Sequence, residues 1–211
     1  MTVTSKDGSG RTPARGWFLA LVSVTLAAAL IGCGDDGHRD AASGLPAGES
    51  GLDLPAITAG PDGAVWFIQT TTDPKLPSEA IGRLALGGHC ARIPLRHMHV
   101  GATDLTAGPN GAMWVTQQSR YSIARVTEHG SIREFPLRPG TVPGSIIKGR
   151  DGALWFTTRT GVGRITTDGR IRIWPIRRAK QLGSITQGRD GSFWIIDGPA
   201  DVVHHFVPPN P

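Results

Sequence analysis

One phrase is written four times along this 211-residue chain: GPDGAVWFIQ at 60–69, GPNGAMWVTQ at 108–117, GRDGALWFTT at 149–158 and GRDGSFWIID at 188–197. Its central tryptophan falls at 66, 114, 155 and 194, at intervals of 48, 41 and 39 residues. Self-similarity at a period of about 40 residues marks a stack of one supersecondary unit, and it constrains the fold more than any composition figure.

The unit can be resolved into strands. In the third copy SIIKG (145–149) reads as a strand and RDGA (150–153) as a turn. Asp151 tolerates the left-handed region there, and Gly152 supplies a positive φ. LWFTTR (154–159), GVGRITT (161–167) and IRIWPI (171–176) follow as three more strands, with DGR (168–170) as a second hairpin turn. Four short antiparallel strands per period is a β-propeller blade. The expected fold is therefore all-β: about four four-stranded blades near 52–95, 103–137, 144–176 and 183–207, a short or partial propeller. Such a meander cannot bury two faces alone. Trp66, Trp114, Trp155 and Trp194 are expected to fill the widening gap between neighbouring blades. The fourth unit lacks a last strand, because PPNP (208–211) pairs poorly. Residues 51–54 are expected to supply that strand and latch the ring; the alternatives are an open arc, a dimer of arcs or a truncated product.

The first 32 residues differ in kind. A basic stretch with Lys6, Arg11 and Arg15 precedes WFLALVSVTLAAALIG (17–32), which carries no charge. Sixteen uncharged, mostly apolar residues are short for a membrane span of about 20 but suit an export signal. LIGC (30–33) resembles the lipobox of bacterial lipoproteins, which implies lipidation at Cys33, a membrane anchor and an extracytoplasmic location. Residues 33–51 then read as a flexible tether. Cys33 and Cys90 are the only cysteines. If Cys33 carries lipid, Cys90 is a lone buried thiol; otherwise a 33–90 disulfide is open to the chain. The net charge of +5 falls to +3 without the first 32 residues, and no basic stripe with interleaved aromatics points to nucleic acid.

The repeats resemble those of virginiamycin B lyase and its streptogramin-lyase-like relatives. The residues that carry the likeness are ITAGPDGAVWF (57–67), LTAGPNGAMWVT (105–116), DGALWFTT (151–158), VGRITTDGRI (162–171) and IREFPL (132–137). The resemblance implies a lyase that opens a cyclic depsipeptide of the streptogramin B type by elimination. A histidine base removes a proton next to a carbonyl, and Mg²⁺ holds the developing negative charge. It also implies seven blades, where four units are visible here. The glutamate that often follows the phrase is replaced by Gln69, Gln117, Thr158 and Asp197.

Propeller ligands usually bind at one end of the central channel. There the loops from the last strand to the next blade meet those between strands two and three. On that face His97 and His99 form a His-Met-His segment whose extended geometry would set both imidazoles on one side, as base candidates. Tyr121, Arg138, Arg177 and Arg178 are the binding candidates, suited to an anionic or carbonyl-rich ligand. Asp73, Glu79 and Asp197, with Asp201, are the acids that could hold Mg²⁺. His89 and Cys90 fall on the opposite face. Two functions stay open: streptogramin-lyase-like chemistry on a cyclic peptide, or a non-catalytic binding propeller. Self-association could complete the ring.

Overall fold

The structure, a computed structural model, describes residues 52–72, 77–97 and 99–209. It is built of antiparallel sheets in chain order. The first holds β1 (Leu52–Asp53), β2 (Ile57–Ala59), β3 (Val65–Thr71), β4 (Glu79–Leu84) and β5 (Cys90–Pro94). The second holds β6 (Ala102–Ala107), β7 (Met113–Gln117), β8 (Ser122–Val126) and β9 (Ile132–Pro136). The third holds β10 (Pro143–Lys148), β11 (Leu154–Thr158), β12 (Gly161–Ile165) and β13 (Ile171–Pro175). The fourth holds β14 (Leu182–Gln187), β15 (Phe193–Asp197) and β16 (Val202–Phe206), with a 3-10 turn at Gly198–Ala200. β2, β6, β10 and β14 pack side by side, so they line the inner edge of an arc, and β5, β9 and β13 lie on its outer rim.

The all-β blade expectation holds, and the four strands read from the third unit appear within two residues of their expected bounds. The latch does not form. β1 pairs with β3, Leu52 opposite Thr71 and Asp53 opposite Thr70, rather than with the fourth sheet. The reason is length. β3 runs seven residues against three in β2, and its far end offers an unpaired edge that β1 fills. The fourth sheet stays three-stranded.

Each sheet turns its tryptophan toward the next. Trp66 joins a cluster with Leu105, Met113 and Val115 of the second sheet and with Val100 just before it. Trp114 packs with Ile146, Leu154 and Phe156 of the third, and Trp155 with Leu182, Ile185 and Phe193 of the fourth. These rings are 1%, 0% and 3% exposed, as inter-blade filling requires. Trp194 is 44% exposed, and among the described residues no fifth sheet covers it.

The turns that precede Trp66 and Trp155 do more than reverse the chain. Asp151 Oδ1 accepts the Ala153 N–H at 3.3 Å and the Trp155 Nε1–H at 3.0 Å, while Oδ2 accepts Arg164 Nε–H at 2.7 Å. Asp62 does the same for Ala64, Trp66 and Arg83. Burial pushes both carboxyls up. Hydrogen bonds outweigh it, from Trp66 and Arg83 at Asp62 and from Arg164 and Trp155 at Asp151, and hold both below the ordinary value. A lowered carboxyl stabilises the fold above its unfolded pKa, and that contribution is lost as pH falls through the folded one. The glycine before the turn is required: a Cβ on Gly60 would lie 2.2 Å from the Trp66 ring, and one on Gly149 would lie 2.5 Å from Trp155.

The second sheet breaks this pattern. Asn110 stands where the others have aspartate, and Trp114 Nε1 and Arg125 Nε are buried without partners. Asn110→Asp supplies both acceptors. It is expected to stabilise the protein by about 1 kcal/mol, seen as a melting point about 2–4 °C higher.

Candidate functional site

The first strands carry a repeated irregularity. Register shifts occur between Ala102 and Leu105, Pro143 and Ile146, and Leu182 and Ile185. Such bulges free backbone groups, and a threonine on the second strand takes them up. Thr157 Oγ1 accepts the Ser145 N–H at 3.0 Å and donates to the Gly183 carbonyl of the next sheet at 3.0 Å. Thr116 Oγ1 accepts the Asp104 N–H at 3.1 Å.

Asp104, which the sequence reading did not single out, is the polar centre of this inner edge. Its Oδ1 accepts the Leu105 N–H at 2.8 Å. Its Oδ2 accepts the Ser145 hydroxyl at 2.8 Å and the Ile146 N–H at 2.9 Å, joining the second sheet to the third. The repeat did hold a signal: one aligned position just before an apolar residue carries Ala56, Asp104, Ser145 and Ser184, an acid in the second unit alone.

The acids picked as metal candidates are engaged otherwise. Glu79 is buried, and its two oxygens accept the Gly101 and Ala102 N–H groups at 3.1 and 3.0 Å, anchoring the entry to β6. Asp197 is fully buried in the fourth sheet and accepts the Lys180 and Gln181 N–H groups at 2.7 and 3.1 Å, with His204 Nε2 at 3.4 Å. Burial pushes the Asp197 carboxyl up, but those two backbone donors and His204 bring it below the ordinary value. The two acids serve different sheets and are not brought together. Asp73 lies outside the described residues. Among the described residues no group of three His, Cys, Asp or Glu side chains converges.

The histidine pair is also rearranged. His99 has φ of 54°, so the segment is not extended and its imidazoles are not aligned by strand geometry. Its N–H donates to Ser78 Oγ at 3.3 Å, and its side chain is exposed. His97 Nε2 lies 3.7 Å from Glu134 Oε2 on the outer rim. Tyr121, with φ of 48°, closes the turn between β7 and β8 and packs on the second core cluster rather than standing free beside a channel. Arg177 and Arg178 are exposed, the latter with φ of 66°.

Arg138 borders a groove of about 560 Å³ between the outer strands of the second and third sheets, with Thr141, Arg172 and Ile173. A smaller hollow of about 220 Å³ adjoins it, lined by Thr141, Arg159, Thr160 and Ile173. Cys90, at the start of β5, is disulfide-bonded, and Cys33 lies outside the described residues. No helix among the described residues is long and apolar enough to cross a membrane.

Comparison with known proteins agrees with this architecture. Residues 27–207 match the virginiamycin B lyase family. A streptogramin B lyase structure superposes with a TM-score of 0.62 at 27% identity, covering 75% of this chain and 55% of that one. A catalytically inactive His-to-Ala variant of virginiamycin B lyase from Staphylococcus aureus, solved with quinupristin, gives 0.63 at 30% identity, covering 72% and 55%. A gluconolactonase from Xanthomonas campestris shares the fold alone, with a TM-score of 0.60 at 21% identity over 79% of this chain and 60% of that one. No curated protein matches. The chain thus spans about 55% of the length of these lyase structures.

Proposed function

The chain belongs to the virginiamycin B lyase family, and from that premise we propose that it is a ligand-binding propeller for a cyclic peptide, without the elimination chemistry of the family's enzymes. One observation carries this reading. The loop-face carboxylates Glu79 and Asp197 are spent on backbone N–H groups, so neither is left to hold a divalent ion against a substrate carbonyl. His97, one of the two base candidates, faces Glu134 on the rim instead of the inner edge.

The second reading is streptogramin B elimination, favoured by the 30% identity to the lyase solved with quinupristin. Elimination opens the ring with no change of mass, so the assay is chromatographic. The chain is titrated with quinupristin calorimetrically, then incubated with it and Mg²⁺. Saturable binding with no new linear isomer is expected. A linear isomer formed catalytically overturns the binding-only reading; absence of binding overturns both.

We place the chain outside the cytoplasm, consistent with the disulfide at Cys90. A lipid on Cys33 and a bridge from Cys33 to Cys90 exclude each other, because one sulfur serves both. We also propose that a second copy completes the propeller.

A further inference from the structure

The turn before each tryptophan ends on an acid or its amide and then a glycine: Asp62 and Gly63, Asn110 and Gly111, Asp151 and Gly152, Asp190 and Gly191. The four glycines have φ of 77°, 74°, 72° and 87°, so the backbone repeats while one side chain differs.

In the first and third sheets the turn carboxylate ties down two strands. Trp66 Nε1–H and Arg83 Nε–H donate to Asp62, and Trp155 Nε1–H and Arg164 Nε–H donate to Asp151. Trp114 and Arg125 face each other in the same register, but Trp114 Nε1 and Arg125 Nε are buried without partners. Asn110 does not stand in for the acid. A Cβ on Gly60 or Gly149 would meet the aspartate Oδ1 at 2.6 or 2.5 Å. On Gly108 its nearest atoms would be those of Trp114 and, at 3.1 Å, the Ala112 carbonyl oxygen. The Asn110 amide is therefore turned away from both donors, and the residue is exposed.

The residue after Asn110 is the one best able to attack it. Glycine has no Cβ to shield its nitrogen, and a Cβ on Gly111 would meet nothing within 4 Å. The Gly63, Gly152 and Gly191 N–H groups donate to the Gly60, Gly149 and Gly188 carbonyls; among the described residues the Gly111 N–H makes no such bond.

We propose that Asn110 is a self-modification site that converts to aspartate. The Gly111 nitrogen gives its proton to solvent hydroxide and bonds to Asn110 Cγ. The Cγ–Nδ2 bond breaks, and the amide nitrogen takes up a proton and leaves as ammonia. Water then adds to Cγ of the cyclic imide, the bond from Cγ to the Gly111 nitrogen breaks, and that nitrogen recovers a proton. The sum is amide and water to carboxylate and ammonium, with no oxidation or reduction. In the first and third turns the ring N–H and the guanidinium both end on the oxygens of Cγ. Trp114 and Arg125 thus polarise this carbonyl rather than the main-chain one and direct water to it, which gives aspartate in the normal linkage. Both buried donors then gain a charged acceptor. Nothing in these steps depends on what the channel binds.

The test holds the full, folded chain at mildly alkaline pH and follows the peptide around Asn110 by mass spectrometry. Electron-transfer fragmentation separates aspartate from isoaspartate. Asn210 is the other asparagine of the chain, and Pro211 after it has no N–H, so it should keep its amide as an internal control. Conversion of Asn110 to normal aspartate is expected, with the melting point climbing by about 2–4 °C to that of Asn110→Asp. Three results overturn the proposal. One is an amide that persists in the folded chain for as long as the urea-unfolded chain takes to convert. The others are isoaspartate as the main product, and conversion with no rise in melting point.

Discussion

Gly163→Ala is expected to destabilise the protein by about 3 kcal/mol, a fall in melting point of about 6–12 °C. Gly163 lies directly opposite Phe156 across β11 and β12. A Cβ there would come within 2.2 Å of the Phe156 ring, which is fully buried among the residues joining the second and third sheets. Neither side can yield: the ring is enclosed, and the glycine belongs to a paired strand. The same couple occurs as Phe67 over Gly82 in the first sheet. In the second sheet the pair is Val115 opposite Ala124, a smaller side chain over a larger one. The molecule therefore already contains the compensated version. Phe156→Val combined with Gly163→Ala should recover part of the loss, with a coupling of about 2 kcal/mol measured by chemical denaturation of both single variants and the double. Strict additivity would show that the ring and the glycine are not the interacting pair.

This example shows why the blade was legible and the candidate site was not. Turn chemistry, alternating strands and a recurring tryptophan act over a few residues, so the phrase revealed the hairpins and the inter-blade filler. The sequence marks the aspartate only as a local turn former; its bonds to Trp155 Nε1 and Arg164 tie the turn to β11 and β12, and only the folded sheet displays them. Glu79 and Asp197 looked like free acids because a carboxylate that caps backbone N–H groups and one that waits for a metal have the same letter. What separates them is a partner 22 residues away for Glu79 and Gly101, and 17 away for Asp197 and Lys180. The His-Met-His segment failed as an extended pair because His99 adopts a left-handed backbone, a state that spacing does not encode. Arg138 was read as part of a channel mouth, whereas the strand order places its groove on the rim.

The same comparison of repeats governs the end of the arc. Trp194, Ile196 and Val203 occupy the positions that Trp155, Thr157 and Val162 hold in the third sheet, but they are 44%, 52% and 60% exposed. An apolar face of this kind on a three-stranded sheet is what the proposed second copy would cover. At every junction present, the covering partner is the first-strand side of another blade, with Leu105, Ile146 or Ile185 pressing toward the preceding tryptophan. The corresponding residue of the first sheet is Ile57, 60% exposed. A second copy related by a twofold axis along the channel would set its Ile57 side against Trp194, and the reverse, closing both gaps at once. Two copies of a four-sheet arc make eight, within the range of about 4–8 blades that propellers use. Sedimentation of the chain from residue 33 is thus expected to show a two-chain species at micromolar concentration. Trp194→Asp should return it to a single chain without unfolding it, since that ring contributes little to its own sheet's core, whereas Trp155→Ala should cost about 3–5 kcal/mol. A wild-type chain that sediments as a monomer at every concentration would leave the fourth sheet's outer face bare and remove the second copy from the reading.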